Sequence, residues 1–190
     1  MEITAGILRG MDLKAPPGLH VRPTAVRARQ ALFDSLGDLS GKTFADFCAG
    51  SGAMGLEAAS RGAKQVFFVE CASESLRIIE RNCRKLRDAG VEAELTVVHG
   101  RLPEAAERLR HETAPDLLFA DPPYRDSVRL LDELTKNEAF TQWASGGRLF
   151  WELPEGGTAL RPPAPPWKIE SIRSSGAVRF MILTAKQGKS

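Results

Sequence analysis

The sequence predicts an α/β domain: a seven-stranded, mostly parallel sheet with helices on both faces and an antiparallel hairpin at its end. Three observations predict it. From residue 43 onward, short apolar segments alternate with amphipathic ones, the order that a parallel sheet with crossover helices requires. The apolar segments are near-continuous, as in VFFV (66–69) and DLLFA (116–120), which fits strands covered on both sides. The last two strand-like segments are separated only by a short turn around Ser174-Ser175-Gly176, too short for a helix, so they close the sheet as a hairpin.

The elements follow in order. ITAGILRGMDLKAP (3–16) reads as two short strands around Arg9-Gly10, closed by Pro16-Pro17-Gly18. RPTAVRARQALFDSLG (22–37) reads as a helix with Thr24 as candidate N-cap, Val26, Leu32, Phe33 and Leu36 as its apolar stripe, and Gly37 as its stop. KTFADFC is the first sheet strand, and a helix spans about Gly52 to Arg61. QVFFVE is the second strand, and SESLRIIERNCRKLRDAG a helix ended by Gly90. ELTVVHG is the third, followed by PEAAERLRHE as a helix. DLLFADPP is the fourth, with SVRLLDELTKN helical after it, and RLFWELP is the fifth. WKIESIRS and AVRFMILTAK supply the closing pair, and the Pro-rich LRPPAPPWK before them reads as a stiff connection. Two units are expected: residues 1–40, a hairpin and helix, and residues 41–190, the sheet domain.

Composition narrows the function class. At 190 residues, 43% hydrophobic and 26% charged, the chain suits an ordinary globular protein with a substantial core. It lacks the roughly 20-residue apolar run of a membrane span and the basic-then-apolar start of a signal peptide, so a cytoplasmic protein without membrane contact is expected. Cys48, Cys71 and Cys83 show no paired spacing, and His20, His99 and His111 are scattered, so neither a disulfide framework nor a metal site is expected. The net charge is only +2, but from Arg9 to Arg29 the cations Arg9, Lys14, Arg22, Arg27 and Arg29 face a single acid, Asp12. A solvated helix face is the bland explanation; a polyanionic partner is the sharper one.

DFCAGSGAMGLE (46–57) follows the first strand. Gly50, Gly52 and Gly55 satisfy G-x-G-x-x-G, and Glu70 ends the second strand 20 residues after Gly50. Glycines allow the tight turn and the acid can take ribose hydroxyls, as in dinucleotide binding. Asp46, four residues before Gly50, tilts the balance. An acid there repels a pyrophosphate but favours a sulfonium donor with an ammonium tail, so S-adenosylmethionine suits the loop better than NAD. The plain alternative is a glycine turn that only reverses the chain.

The fourth strand stops at Asp121-Pro122-Pro123-Tyr124. In open α/β sheets ligands bind beyond the carboxyl ends of the strands, which places this tetrapeptide beside the glycine loop. An exocyclic amino group of a nucleobase is a poor nucleophile because its lone pair is delocalised into the ring. Two acceptors binding its hydrogens restore that lone pair: the Asp121 carboxylate and the Pro122 carbonyl, held by a residue of fixed φ. Tyr124 offers a flat face for an unstacked base, and Asp121 can take the released proton. Read alone, Asp-Pro-Pro is simply a turn.

Together these residues resemble the RsmD-type methyltransferases, which methylate N2 of a guanine in bacterial 16S ribosomal RNA with S-adenosylmethionine. ITAGILRGMDL is similar to the family's Gly-x-x-Arg-Gly-x-x-Leu hairpin, RPTAVRARQALFDSL to its Arg-Pro-Thr helix, DFCAGSGAMGLEAASRGA to its cofactor loop and DPPY to its amino-methylation motif. The resemblance implies a Rossmann-like class I S-adenosylmethionine-dependent methyltransferase. Its donor site would comprise Asp46, Cys48, Ala49, Gly50, Ser51, Gly52, Glu70, Cys71, Arg101 and Leu102. Its catalytic set would be Asp121, Pro122, Pro123 and Tyr124. Arg9, Arg22, Thr24, Arg27 and Arg29 would meet 16S RNA, within a small-subunit ribonucleoprotein particle. The chain departs from the family pattern at Val26 and Gln30, where acids are usual, and at Arg101, where an acceptor for the adenine amino group is usual. Recognition of adenine is therefore expected to fall to backbone groups near Leu102. An adenine-N6 methyltransferase, an NAD-binding oxidoreductase and a non-catalytic RNA-binding protein stay open as alternatives.

Overall fold

A computed structural model describes residues 1–16, 23–154, 162–175 and 178–185. Its elements are α1 (Pro23–Leu36), β1 (Thr43–Phe47), α2 (Ala53–Ser60), β2 (Gln65–Glu70), α3 (Ser73–Asp88), β3 (Glu94–His99), α4 (Glu104–Glu107), β4 (Leu117–Ala120), α5 (Ser127–Lys136), α6 (Glu138–Trp143), β5 (Arg148–Leu153), β6 (Trp167–Ser175) and β7 (Val178–Ala185). The seven strands lie in the order β3-β2-β1-β4-β5-β7-β6. β1 to β5 are parallel, and β7 inserts antiparallel between β5 and β6. The expected seven-stranded sheet with a terminal hairpin is therefore the observed one.

Strand periodicity divides the core in two. On one face Phe44, Val66, Phe68, Phe119, Phe150 and Ile182 pack with Leu56, Ile79 and Phe33. On the other, Phe47, Phe67, Leu118, Trp151 and Leu183 pack with Leu109, Leu131 and Phe140. Successive residues of one strand thus serve opposite layers, as the period of two demands. Because both faces are covered, the strands can be apolar throughout.

Differences from the sequence reading have local causes. The N-terminal segment forms no full strands: one bridge joins Glu2 to Asp12, and residues 5–10 are turns. Ile3 and Leu13 nevertheless enter the first core layer with Leu32 and Phe33, so residues 1–40 share a core with the sheet domain. α1 begins at Pro23, where a missing N–H costs nothing, which places Thr24 inside the helix and not at its cap. α4 is a single turn of four residues. After it, Leu109, Arg110 and Glu112 donate to carbonyls three residues back, a tighter winding that carries Leu109 into the core. Beyond α5, Asn137 adopts an extended conformation, and its side chain accepts from the Phe140 N–H at 2.9 Å, starting α6.

Candidate active site

The strand order reverses between β1 and β4, so the sheet opens a crevice at their carboxyl ends. A cavity of about 1020 Å³ occupies it. Its walls bring together Cys48, Glu70, Cys71, Arg101, Leu102 and the Asp121-Pro122-Pro123-Tyr124 stretch. The register explains the convergence: Phe47 of β1 pairs with Val69 of β2 and with Ala120 of β4, so the chain leaves all three strands at one level.

The glycine loop is held from beneath by acids. Asp46, buried within β1, accepts the Gly55 N–H at 2.9 Å through Oδ2. Glu70 accepts the Gly50 N–H at 2.8 Å through Oε2, and the Cys71 and Ala72 N–H groups at 2.7 and 2.8 Å through Oε1. Both acids therefore shape the loop; Glu70 also lines the cavity, whereas Asp46, 2% exposed, lies buried outside its lining. Cys48 takes φ 55°, a left-handed value that a side chain tolerates poorly. Gly55 has a different reason: a methyl group there would overlap the Phe68 ring of β2, so its hydrogen lets α2 lie close on the sheet.

Electrostatics single out the carboxyl groups. Burial raises the Asp46 carboxyl well above its ordinary value, the Gly55 N–H opposes this, and Asp121 and Glu70 push it further up. Asp121 keeps one side open to solvent, yet the protein enclosing the rest lifts its carboxyl to about 6. The Cys48 thiol is pushed up to about 12 by burial and then by the same acids, so it is no nucleophile at neutral pH. Glu70 and Asp121 thus line the crevice with Asp46 buried near both, and no lysine or arginine of the described residues pairs with any of the three. A cationic ligand would relieve that arrangement, and a pyrophosphate would worsen it.

At the end of β4 the Pro123 carbonyl accepts the Asp126 N–H at 2.8 Å, closing a turn that starts α5. Pro122 is buried, whereas Pro123 and Tyr124 are exposed. Among the described residues, neither the Asp121 carboxylate nor the Pro122 carbonyl receives a hydrogen bond, so two acceptors stand uncommitted at the mouth. α5 completes that wall with Asp126, Arg129, Glu133 and Lys136, which the motif reading missed. Their spacing of three and four residues, beside a Leu130-Leu131-Leu134 stripe, was the available signal.

The basic residues of the N-terminus are dispersed. Arg9 and Arg27 are exposed. Arg22 and the Thr24 side chain lie outside the described residues. Arg29, expected to face RNA, is 7% exposed: its guanidinium donates to the Glu2 carbonyl at 2.7 Å and its Nε lies 3.5 Å from Glu57. It is an internal tie and leaves the set of surface cations. Glu57, fully buried in α2, also accepts from the Thr4 and Ala5 N–H groups, the Thr4 hydroxyl and Arg61. The turn around Gly6 rests on Ser60, at the end of α2 far from the glycine loop. No group of His, Cys, Asp and Glu among the described residues could hold a metal, and no helix among them is long and apolar enough to cross a membrane.

Residues 1–176 match the family model described as Conserved hypothetical protein 95. Bacillus subtilis YlbH is 31% identical over 144 residues, covering 70% of this chain and 74% of that protein. Ribosomal RNA small subunit methyltransferase D of Escherichia coli is 28% identical over 193 residues, covering 100% of this chain and 93% of that one. The solved structure of a hypothetical protein from Thermus thermophilus superposes with a TM-score of 0.74 at 28% identity, over 97% of this chain and 99% of that one. With residues 1–176 matching the family model and nearly its whole length in common with these relatives, the chain belongs to the RsmD-type methyltransferase family.

Proposed function

We propose that the protein transfers a methyl group from S-adenosylmethionine to the exocyclic N2 of a guanine in small-subunit ribosomal RNA. The observation that carries this reading is the pair of uncommitted acceptors, Asp121 and Pro122, in the same cavity as Glu70 and Leu102. The excess of carboxyl groups favours a cationic donor and counts against NAD. Relatives of matching length named for the small-subunit RNA favour that substrate over DNA.

The bound donor supplies an electrophilic methyl on a positively charged sulfur. Glu70 would hold its ribose hydroxyls through the lone pairs left beside its backbone bonds. Asp46 and the Cys48–Gly52 loop would meet its amino-acid part, and Leu102 would cover its adenine. The Asp121 carboxylate and the Pro122 carbonyl accept the two hydrogens of the guanine amino group and turn its lone pair toward the methyl. Tyr124 stacks on the extruded base. When the nitrogen becomes cationic, Asp121 takes its proton and passes it to solvent at the open side. Positioning nitrogen and methyl in line supplies most of the rate gain. Arg9 and Arg27 meet RNA phosphates, with Arg22 and Thr24 completing the N-terminal contact, and a small-subunit particle is the substrate.

The test is tritiated methyl transfer to small-subunit particles from a strain lacking the modification, followed by nucleoside mapping. Label in N2-methylguanosine is expected. Label at adenine N6, or none in RNA, overturns the reading.

A further inference from the structure

The geometry points to a second RNA track, outside the N-terminal arginines: Arg77, Arg81 and Arg84 on the outer face of α3 take nucleic-acid backbone phosphates. The proposal rests on RNA being the substrate and names a surface that the function so far has not used.

α3 carries five of the chain's 26 lysines and arginines in 16 residues: Arg77, Arg81, Arg84, Lys85 and Arg87. Its buried side is Leu76, Ile79, Asn82, Cys83 and Leu86. Arg77, Arg81 and Arg84, spaced four and three apart, stand opposite that side on one exposed line about 10 Å long. Lys85 and Arg87 have other work: Lys85 donates to the Asp12 carbonyl and Arg87 to the Leu95 carbonyl. Arg77, Arg81 and Arg84 have no ion-pair partner among the described residues, although Glu74, Glu80 and Asp88 share the helix.

The N-terminal arm is held against the same helix, away from this line. Asn82 accepts the Lys14 N–H at 2.9 Å and returns a bond to the Lys14 carbonyl at 3.0 Å. The Lys14 backbone is thus clamped to α3 on its buried side, and its side chain is exposed. The same Asn82 amide donates to the Ser51 carbonyl of the glycine loop at 3.2 Å. α3 itself begins three residues after Glu70, so Arg77 stands about one turn, roughly 6 Å along the axis, from the crevice rim.

The test compares the protein with Arg77→Gln/Arg81→Gln/Arg84→Gln and with a control of equal charge change, Lys64→Gln/Lys168→Gln/Arg173→Gln, whose residues are exposed at the start of β2 and on the far edge strand. Filter binding of 16S RNA is measured against salt in the presence of S-adenosylhomocysteine, and calorimetric affinity for that product checks the fold. The α3 variant is expected to keep product affinity and to lose about 2 from the slope of log K against log salt, at roughly 0.7 per single-strand phosphate contact. Its KM for particles should rise at least tenfold with kcat little changed, and the control should keep slope and KM. An α3 variant with the slope of the unmodified protein, or a control that loses as much, overturns the track. Absence of methyl transfer by the unmodified protein overturns the proposed reaction instead, since the slope is read without transfer.

Discussion

The protonation state of Asp121 gives the most exacting prediction. Its carboxyl is lifted to about 6 because the crevice walls strip water from the ionised form. Only the ionised form can accept an amino hydrogen and then a proton, so at pH 5 roughly a tenth of the protein is competent, and near pH 8 almost all of it. kcat/KM for the donor, which reports the free protein, should therefore fall about tenfold per pH unit below 6 and level off above it. kcat should break at a lower pH, because a cationic sulfur nearby favours the carboxylate. Asp121→Asn should lose on the order of 10²- to 10⁴-fold in turnover. It should keep its affinity for S-adenosylhomocysteine, whose sulfur is neutral. Stability carries the same signature with a defined sign. A carboxyl with a raised folded pKa binds more protons folded than unfolded, so stability falls as pH rises from about 4 to about 6 and is flat above. The Tm advantage of Asp121→Asn over the unmodified protein should be nil at pH 4 and reach its plateau above pH 6. A kcat/KM profile flat from pH 5 to 8, or an Asn variant that turns over normally, would show that this carboxylate neither grips the amine nor takes its proton.

Three further outcomes follow from the packing. Glu57→Ala strips the N-terminal arm of three acceptor contacts, frees Arg61 of a fourth, and leaves Arg29 buried without its counter-charge. A loss of about 3–5 kcal/mol is expected, or roughly 6–20 °C in Tm, read by thermal unfolding; a shift under 2 °C would refute the tie. Gly55→Ala forces a methyl into the Phe68 ring, which should cost about 1–3 kcal/mol of overpacking despite alanine's better helix propensity, and should weaken donor binding in the same calorimetric experiment. Asp46→Asn can still accept the Gly55 N–H, so at pH 8 its Tm should equal or exceed that of the unmodified protein while affinity for S-adenosylmethionine falls; unchanged affinity would remove Asp46 from the cation's surroundings.

The sheet was legible because its strands are short, apolar and regularly spaced, and their order follows from crossover chemistry. The crevice was legible for the same reason: once strands one and four are adjacent, the Gly50-Gly52-Gly55 loop and Asp121-Pro122 must share an end of the sheet. What stayed hidden depends on contacts between distant residues. Arg29 looks in the sequence like its neighbour Arg27, and only the pairing with Glu57, 28 residues away, makes one internal and the other exposed. The N-terminal segment shows one bridge in place of two strands because its cross-strand bonds are confined to Met1, Ile3, Gly10, Met11 and Leu13, while Thr4, Ala5 and Leu8 bond the Glu57 and Ser60 side chains. The α3 cations were equally visible in the sequence, but the lack of acidic partners for Arg77 and Arg84 was not, since Glu74, Glu80 and Asp88 stand three or four residues from them; Arg81 has no acid at that spacing.

The crowding of Asp46, Glu70 and Asp121 also explains why such a site can persist without a built-in cation. A lysine or arginine among them would stabilise the empty crevice, but it would occupy the acceptors that a methyl donor and an amino group must reach. Leaving the acids unpaired makes the empty state less stable, by an amount that the Asp46 and Asp121 shifts express as resistance to ionisation. Glu70 limits that cost by spending its oxygens on three backbone N–H groups, and Asp46 by holding Gly55. Asp121 has no such bond, which is what leaves it available to the substrate. Binding of a cation then relieves repulsion as well as forming contacts, so donor affinity should fall as pH drops through 6 and Asp121 takes up a proton. An affinity for S-adenosylmethionine that is constant from pH 5 to 8, beside an equally constant one for the neutral-sulfur product, would mean that the acids do not sense the donor's charge.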